Sequence, residues 1–359
     1  MRFRTLIPSA LLAVFLLFYS SCKNGGVEPP PDNNRPDTTS HDFTWQIDTL
    51  GAGNGSILYD VANIDANNIW AVGELYLKDS AGQYSGPAFN AARWDGGKWN
   101  LVKILVRDYG TVTGYFPLKA VFAFGLNDVW FASSADLIQW NGTSFVSKAF
   151  FMTSIPFDGQ VAQMWGTSSS NLYCVGRTGA IYHFIGSSWQ KLSSGTTLDV
   201  RGIWGATANA ETEILAVAAN SSAPLDRSIL RVSGTSVQTL ADSGIIKEPL
   251  SGVWFSMNKK YYVVGSGIYR KNSLNDTRWT GAPLELTAYY SSDVSGNDTN
   301  DVVVVGAFGD LLHYNASTWK QYPELRINGS FYSVSFVGNT VVAVGYTGNR
   351  AIAVIGRRQ

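Results

Sequence analysis

A short strand that returns seven times, polar turns between its copies, and an N-terminal strand matching what the last copy lacks predict an all-β chain, a seven-bladed β-propeller. The recurring strand is centred on Trp70, Trp130, Tyr173, Leu215, Tyr262, Val303 and Val342, at steps of 60, 43, 42, 47, 41 and 39 residues. Those spacings centre near the roughly 40–45 residues of a four-stranded blade. No segment beyond the N-terminal leader carries a sustained helical period.

Each repeat has the same internal order. An apolar strand with a bulky end comes first, as in Val200-Arg201-Gly202-Ile203-Trp204-Gly205. The recurring strand follows, and a third begins Gly-x-Ile or Gly-x-Leu, as in Gly179-Ala180-Ile181 and Gly309-Asp310-Leu311. A polar turn such as Asn141-Gly142-Thr143-Ser144 then leads into an aromatic-led fourth strand. Glycine and asparagine supply the positive φ that short hairpin turns require. The seventh repeat stops at Gln359 after three strands, while Phe43-Thr44-Trp45-Gln46 matches the aromatic-led fourth strand of other repeats. The N-terminal strand should therefore complete the last blade, pairing near Ala351–Ile355 and closing the ring.

Three regions are expected: a leader over 1–22, a spacer over 23–41 and the propeller over 42–359. Arg2 and Arg4, an apolar run from Leu6 to Phe18, and Tyr19-Ser20-Ser21-Cys22 have the layout of a secretory signal. The run is too short to span a bilayer comfortably. The spacer is rich in Pro, Gly, Asn and Asp and has little to bury. Removing residues 1–21 takes two arginines from 27 basic residues, leaving 25 against 27 acidic ones. That balance lacks the basic footprint of a nucleic-acid or polybasic-membrane protein. Besides Cys22 only Cys174 remains, so no internal disulfide is expected, and three histidines are too few to suggest a metal cluster.

The leader resembles a bacterial lipoprotein signal in which the cysteine is acylated, although Tyr19 stands where that family usually carries Leu. The resemblance implies a cell-envelope location at the outer membrane, with Cys22 as the lipid anchor and no span. Over residues 43–359 the units resemble those of secreted bacterial propellers with a D-V-W-A-V-G … G-x-I-x-H-Y-N-G-x-x-W repeat. That likeness speaks to fold and says little about function.

Repetition also sorts the candidate residues. Trp45, Trp99, Trp189, Trp279 and Trp319 share one repeat position, and Trp165, Trp204 and Trp254 another, which reads as packing between blades. His183 and His313 share a position with Arg93, Gln139, Arg231 and Arg270, which reads as a structural device bonding nearby backbone. Asp60, Gln163 and Asp293, with Lys119 and Arg201 one place earlier in their repeats, are expected to line the central channel. Two carboxylates there suit either a channel ligand or acid–base chemistry, against solvated charges in channel water.

Loop length marks one face. Long insertions at 74–90, 105–117, 147–160, 219–227 and 241–249 all leave the same side of the ring, while the other side has short turns. Tyr76, Lys78, Asp79, Tyr84, Tyr109 and Tyr115 on that face are candidate recognition residues. So are Phe116, Phe151, Phe157, Asp158, Asp226 and Arg227, unless the aromatics fold back as caps. The expectation is a monomeric, non-catalytic binding propeller with no cofactor, recognising a glycan or protein ligand. An extracellular polysaccharide-acting enzyme and an envelope assembly factor stay open as alternatives. The sequence contains no nucleophile elbow, zincin helix or phosphate loop.

Overall fold

The computed structural model describes residues 37–359 apart from 85–87, 109–111, 135, 149–159, 221–225, 243, 245, 247–248 and 287. Cys22, Tyr109, Phe151, Phe157 and Asp158 lie outside the described residues. The compact unit from Asp37 onward contains seven four-stranded antiparallel sheets. Numbered along the chain, blades one to seven begin with first strands Ile57–Asp65, Ala120–Gly125, Val161–Ser168, Asp199–Ala208, Leu250–Ser256, Ser291–Asp298 and Gly329–Val337. The second strands are Asn68–Leu75, Asp128–Ala132, Asn171–Gly176, Glu211–Ala219, Lys260–Gly265, Asp301–Gly306 and Thr340–Thr347. Every repeat anchor, from Trp70 to Val342, therefore sits in a second strand.

Closure follows the expected route. Phe43–Leu50 pairs antiparallel with Arg350–Arg358, in register from Phe43 opposite Arg358 to Leu50 opposite Ala351. The last blade is thus built from both ends of the described chain, and 43–50 covers the edge of 350–358 as the fourth strand does in the other blades. Residues 37–41, which the sequence reading placed in the spacer, are held against blade six. Thr39 Oγ1 donates to Asn300 O at 2.7 Å, and Asn300 Nδ2 donates to Asp37 O at 2.9 Å.

The core is divided among the junctions between blades. Seven apolar clusters each join two neighbours, such as Trp130 with Met164 between blades two and three, and Val303 with Phe331 between six and seven. The repeated tryptophans belong to these clusters: Trp189 and Trp279 are buried, and Trp45, Trp99 and Trp319 pack against them half-buried. Burying a large aromatic at each junction removes much apolar area from water with few residues.

First strands touch in order around the ring and enclose the channel. Six of them slip register by one residue near their start, at Tyr59, Ala162, Arg201, Ser251, Ser292 and Tyr332. Lys119, whose N–H bonds Ala132 O, stands at the matching place in blade two. Such a bulge inserts one extra residue and re-aims its side chain. In blades four and five the next residue is Gly202 or Gly252. A Cβ on Gly202 would come within 2.8 Å of Ser251 O, so neighbouring strands approach more closely than a side chain allows.

Candidate functional site at the channel mouth

The channel wall is built from side chains that bond the adjacent blade. Asp60 accepts the Val61 and Val121 N–H groups at 2.9 Å each, and Ser333 Oγ donates to it at 2.7 Å. Asp293 accepts from Val294 N at 2.8 Å and Val334 N at 3.0 Å, and Gln163 Oε1 accepts from Ile203 N at 2.7 Å. Each side chain carries a backbone bond across a blade junction: one to two, three to four, six to seven. The three line a cavity of about 240 Å³ with Phe122, Trp204 and Ser295. Burial pushes Asp60 up to about 6. Burial, then the Asp60 charge, pushes Asp293 up to about 7. The two carboxyls thus act as struts, and their oxygens are already engaged by the wall.

One residue earlier the same strands present a different surface. The bulge positions Tyr59, Lys119, Arg201 and Tyr332 surround a recess of about 380 Å³ at the mouth, with Arg177 and Asp199 on its rim. The Tyr59 and Tyr332 rings stack at 6.3 Å with planes 10° apart, and Tyr346 adds a third ring 5.6 Å from Tyr332. Lys119 Nζ lies 3.5 Å from the centre of the Tyr59 ring. Burial holds the Lys119 ammonium below the usual lysine range, while the Glu74 charge opposes that effect. Arg201 Nε donates to Ala219 O at 3.2 Å, which fixes the guanidinium beside the recess. Asp199 accepts from Thr178 N at 3.0 Å, and Glu74 accepts from the Tyr76 hydroxyl. Lys119, Arg177 and Arg201 thus border a partly apolar hollow whose nearby carboxylates are engaged by neighbours.

The expected channel residues therefore separate into two groups. Asp60, Gln163 and Asp293 stay in the wall, and Lys119 and Arg201 stand at the mouth. Sequence reading missed Tyr59, Tyr332, Tyr346 and Arg177. Their signal was present for the first two, which precede Asp60 and Ser333 as Lys119 precedes Ala120.

The described loop residues are more dispersed. Asp79 Oδ1 closes a small turn by accepting from Ala81 N and Gln83 N at 2.9 Å each, while Lys78 lies over the Tyr84 ring. Tyr84 is 40 % exposed and its hydroxyl donates to Ala52 O. Phe116 folds back as a cap on the junction between blades one and two, next to a short hairpin formed by Val106–Asp108 and Val112–Gly114. Tyr115 lies half-buried under Lys103 Nζ. Arg227 pairs with Asp242 at 2.8 Å, and Asp226 stands beside it on a shallow hollow between blades three and four. These residues share a face of the ring without converging on one site.

The polar position on the third strands has side-chain partners where sequence reading expected backbone. Gln139 bonds Asp128 at 2.8 Å, His183 bonds Asn171 at 2.6 Å, and Arg93 reaches Asn68 at 3.4 Å. Arg231 pairs with Glu213 at 3.3 Å and His313 with Asp301 at 2.9 Å. Backbone groups are consumed by the ladders, so a buried polar side chain here must be satisfied by another side chain. His313 is fully buried, and its other ring nitrogen meets His41 Nδ1 at 2.7 Å. Burial, then the His313 charge, lowers His41 to about 4. Among the described residues no group of three or more His, Cys, Asp or Glu is placed to hold a metal ion.

No family model matches the chain, and no curated protein matches it. Solved structures do. The chain is similar to YCF48 bound to D1 peptide at 16 % identity and a TM-score of 0.64, over 90 % of this chain and 99 % of that one. It is similar to YCF48 from Cyanidioschyzon merolae at 15 % identity and a TM-score of 0.60, over 88 % and 98 %. The WD40 β-propeller domain of Doa1 aligns at 13 % identity and a TM-score of 0.58, over 88 % and 97 %. At these identities the likeness is one of fold, and the fold is a seven-bladed β-propeller.

Proposed function

We propose that this propeller is a non-catalytic binding module that takes a protein or peptide segment at the channel mouth, through an acidic group seated among Lys119, Arg177 and Arg201. The carrying observation is the mouth itself, with three cations around a hollow floored by the Tyr59 and Tyr332 rings. Tyrosines offer rigid area at low entropic cost, and the cations add orientation and selectivity. The structure of a similar propeller with a bound peptide supports a peptide over a glycan. The engaged oxygens of Asp60 and Asp293 favour binding over hydrolysis.

A panel of fluorescent peptides, acidic, neutral and basic, tests this by anisotropy. Acidic members should bind, and the Lys119→Glu/Arg201→Glu double variant should weaken them by about tenfold or more. Equal binding of acidic and basic peptides, or binding confined to a glycan array, would refute the reading.

We also propose that acylated Cys22 holds the ring at an envelope surface, since a lipid chain can tether a protein without spanning the bilayer. Mass spectrometry of the N-terminal peptide should show the acyl group, and Cys22→Ala should shift the protein out of the membrane fraction. An unmodified Cys22 in the wild type would defeat the anchor.

A further inference from the structure

The polar pairing between second and third strands is missing from two blades: blade seven has Thr340 and Ile355 at these positions, and blade five has two cations. In blades one, two, three, four and six, the second strand offers an acceptor two residues before its anchor: Asn68, Asp128, Asn171, Glu213 and Asp301. Each meets the donor on the third strand. In blade five the acceptor position is Lys260 and its partner is Arg270, opposite the Tyr262 anchor. Two cations face each other where five other blades place a matched pair. Burial, then the Arg270 charge, holds Lys260 below the usual lysine range. Such a break in a local rule is expected where a site has another use.

The surroundings make the break a pocket. Lys260, Arg270, Lys271 and Arg278 line a cavity of about 210 Å³ with Thr280 and Tyr314. Arg270 Nη1 donates to the Tyr314 hydroxyl at 2.9 Å, a neutral acceptor on blade six. Lys271 Nζ, in a residue only 7 % exposed, donates to the backbone carbonyl of Asp276 at 3.0 Å. The one carboxylate lining the pocket belongs to Asp276, and its Oδ2 already accepts from Asn272 N and Ser273 N at 3.0 Å each. Among the described residues no carboxylate forms an ion pair with any of the four cations. The loop involved is also exceptional. Every other turn on this side of the ring has two to four residues, whereas 272–279 has eight.

We infer that the Lys260–Arg270 pocket of blade five is a binding site for a doubly charged oxyanion, a phosphoryl or sulfate group. Lys260, Arg270 and Arg278 supply the charge for such a group, while the Lys271 ammonium rests over the Trp279 ring. Arg270 and Arg278 can offer forked donors to two oxygens. The pocket lies on the face opposite the channel mouth and stands or falls independently of the function proposed there.

Inorganic phosphate and sulfate are the probes, added to the whole protein at constant ionic strength with chloride as the control. Melting temperature should rise with the oxyanion and not with chloride, because binding to the folded state alone stabilises it. Lys260→Asp restores the acceptor found in the other blades, so Arg270 gains a partner. This variant should melt at or above the wild-type temperature and bind the oxyanion at least about tenfold more weakly. Arg278→Ala, on the exposed loop, should weaken binding without affecting folding and carries the test if Lys260→Asp misfolds. Equal shifts with oxyanion and chloride in the wild type, or an oxyanion affinity unchanged in both variants, would overturn the site.

Discussion

Tyr332 and Ser333 are neighbours in one strand, yet they belong to different parts of the molecule. Ser333 is buried and bonds Asp60 across the junction between blades seven and one. Tyr332 is 37 % exposed at the mouth, stacked on Tyr59. The same division separates Tyr59 from Asp60 and Arg201 from Gly202. A register slip lets one strand serve both purposes, because the extra residue turns outward while its successor keeps the ladder. The wall should therefore govern stability, and the mouth should govern binding.

The largest effect is expected in the wall. Asp293→Ala leaves the Val294 and Val334 N–H groups without their acceptor in a buried place. Unsatisfied buried donors cost about 1–3 kcal/mol each, so a loss of about 2–4 kcal/mol should appear in denaturant unfolding. A loss below about 0.5 kcal/mol would mean that water replaces the carboxylate, which would erase the distinction between wall and mouth.

A smaller wall effect concerns pH. Asp293 is raised to about 7 and Asp60 to about 6, so the folded state keeps protons that the unfolded chain has already released. Stability from these groups is fully present below about pH 4 and is lost as pH rises toward 7. His41 works in the opposite sense: lowered to about 4, it contributes stability above about pH 6.5 that is lost as pH falls. The two can be separated by difference. Stability of the wild type minus that of Asp293→Asn should decline between pH 4.5 and 7.5, a range flanking these pKa values. A flat difference would show that Asp293 titrates normally.

Much of this was legible in the sequence, for identifiable reasons. Strand copies and the closing strand could be read because a repeat shows its period and its missing part. The channel residues could be placed because Asp60, Gln163 and Asp293 share a repeat position. Tyr59 and Tyr332 were passed over because a bulge is a property of backbone pairing, and only Lys119 and Arg201 stood out by charge. The partners of His183 and His313 were hidden for a related reason. Asn171 and Asp301 lie on another strand, diagonally across the ladder, and no spacing along the chain brings them together. Lys260 was visible as the one basic residue at its repeat position, but only a known partner gives that oddity meaning.

The smallest stability effect belongs to the mouth, and it is the sharpest test of the comparison. Lys119→Ala removes a cation that rests on Tyr59 without an ion pair among the described residues. Tyr332→Ala removes a ring that is more than one-third exposed. Exposed positions outside a cap or buried network usually change stability by no more than about 0.5 kcal/mol. Cation–π contact at a partly exposed site adds about 0.5–1 kcal/mol. Both variants should therefore unfold within about 1 kcal/mol of the wild type, while each loses binding to the acidic peptides by about tenfold. Isothermal titration beside denaturant unfolding reads the two quantities on the same samples. If Tyr332→Ala costs as much stability as Asp293→Ala, the tyrosines are a lid that seals the ring, and recognition must be sought on the loops around Tyr84 and Tyr115. If stability and binding are both untouched, the mouth is an entrance only. Loss of binding alone would show that a one-residue slip divides structure from recognition in this ring.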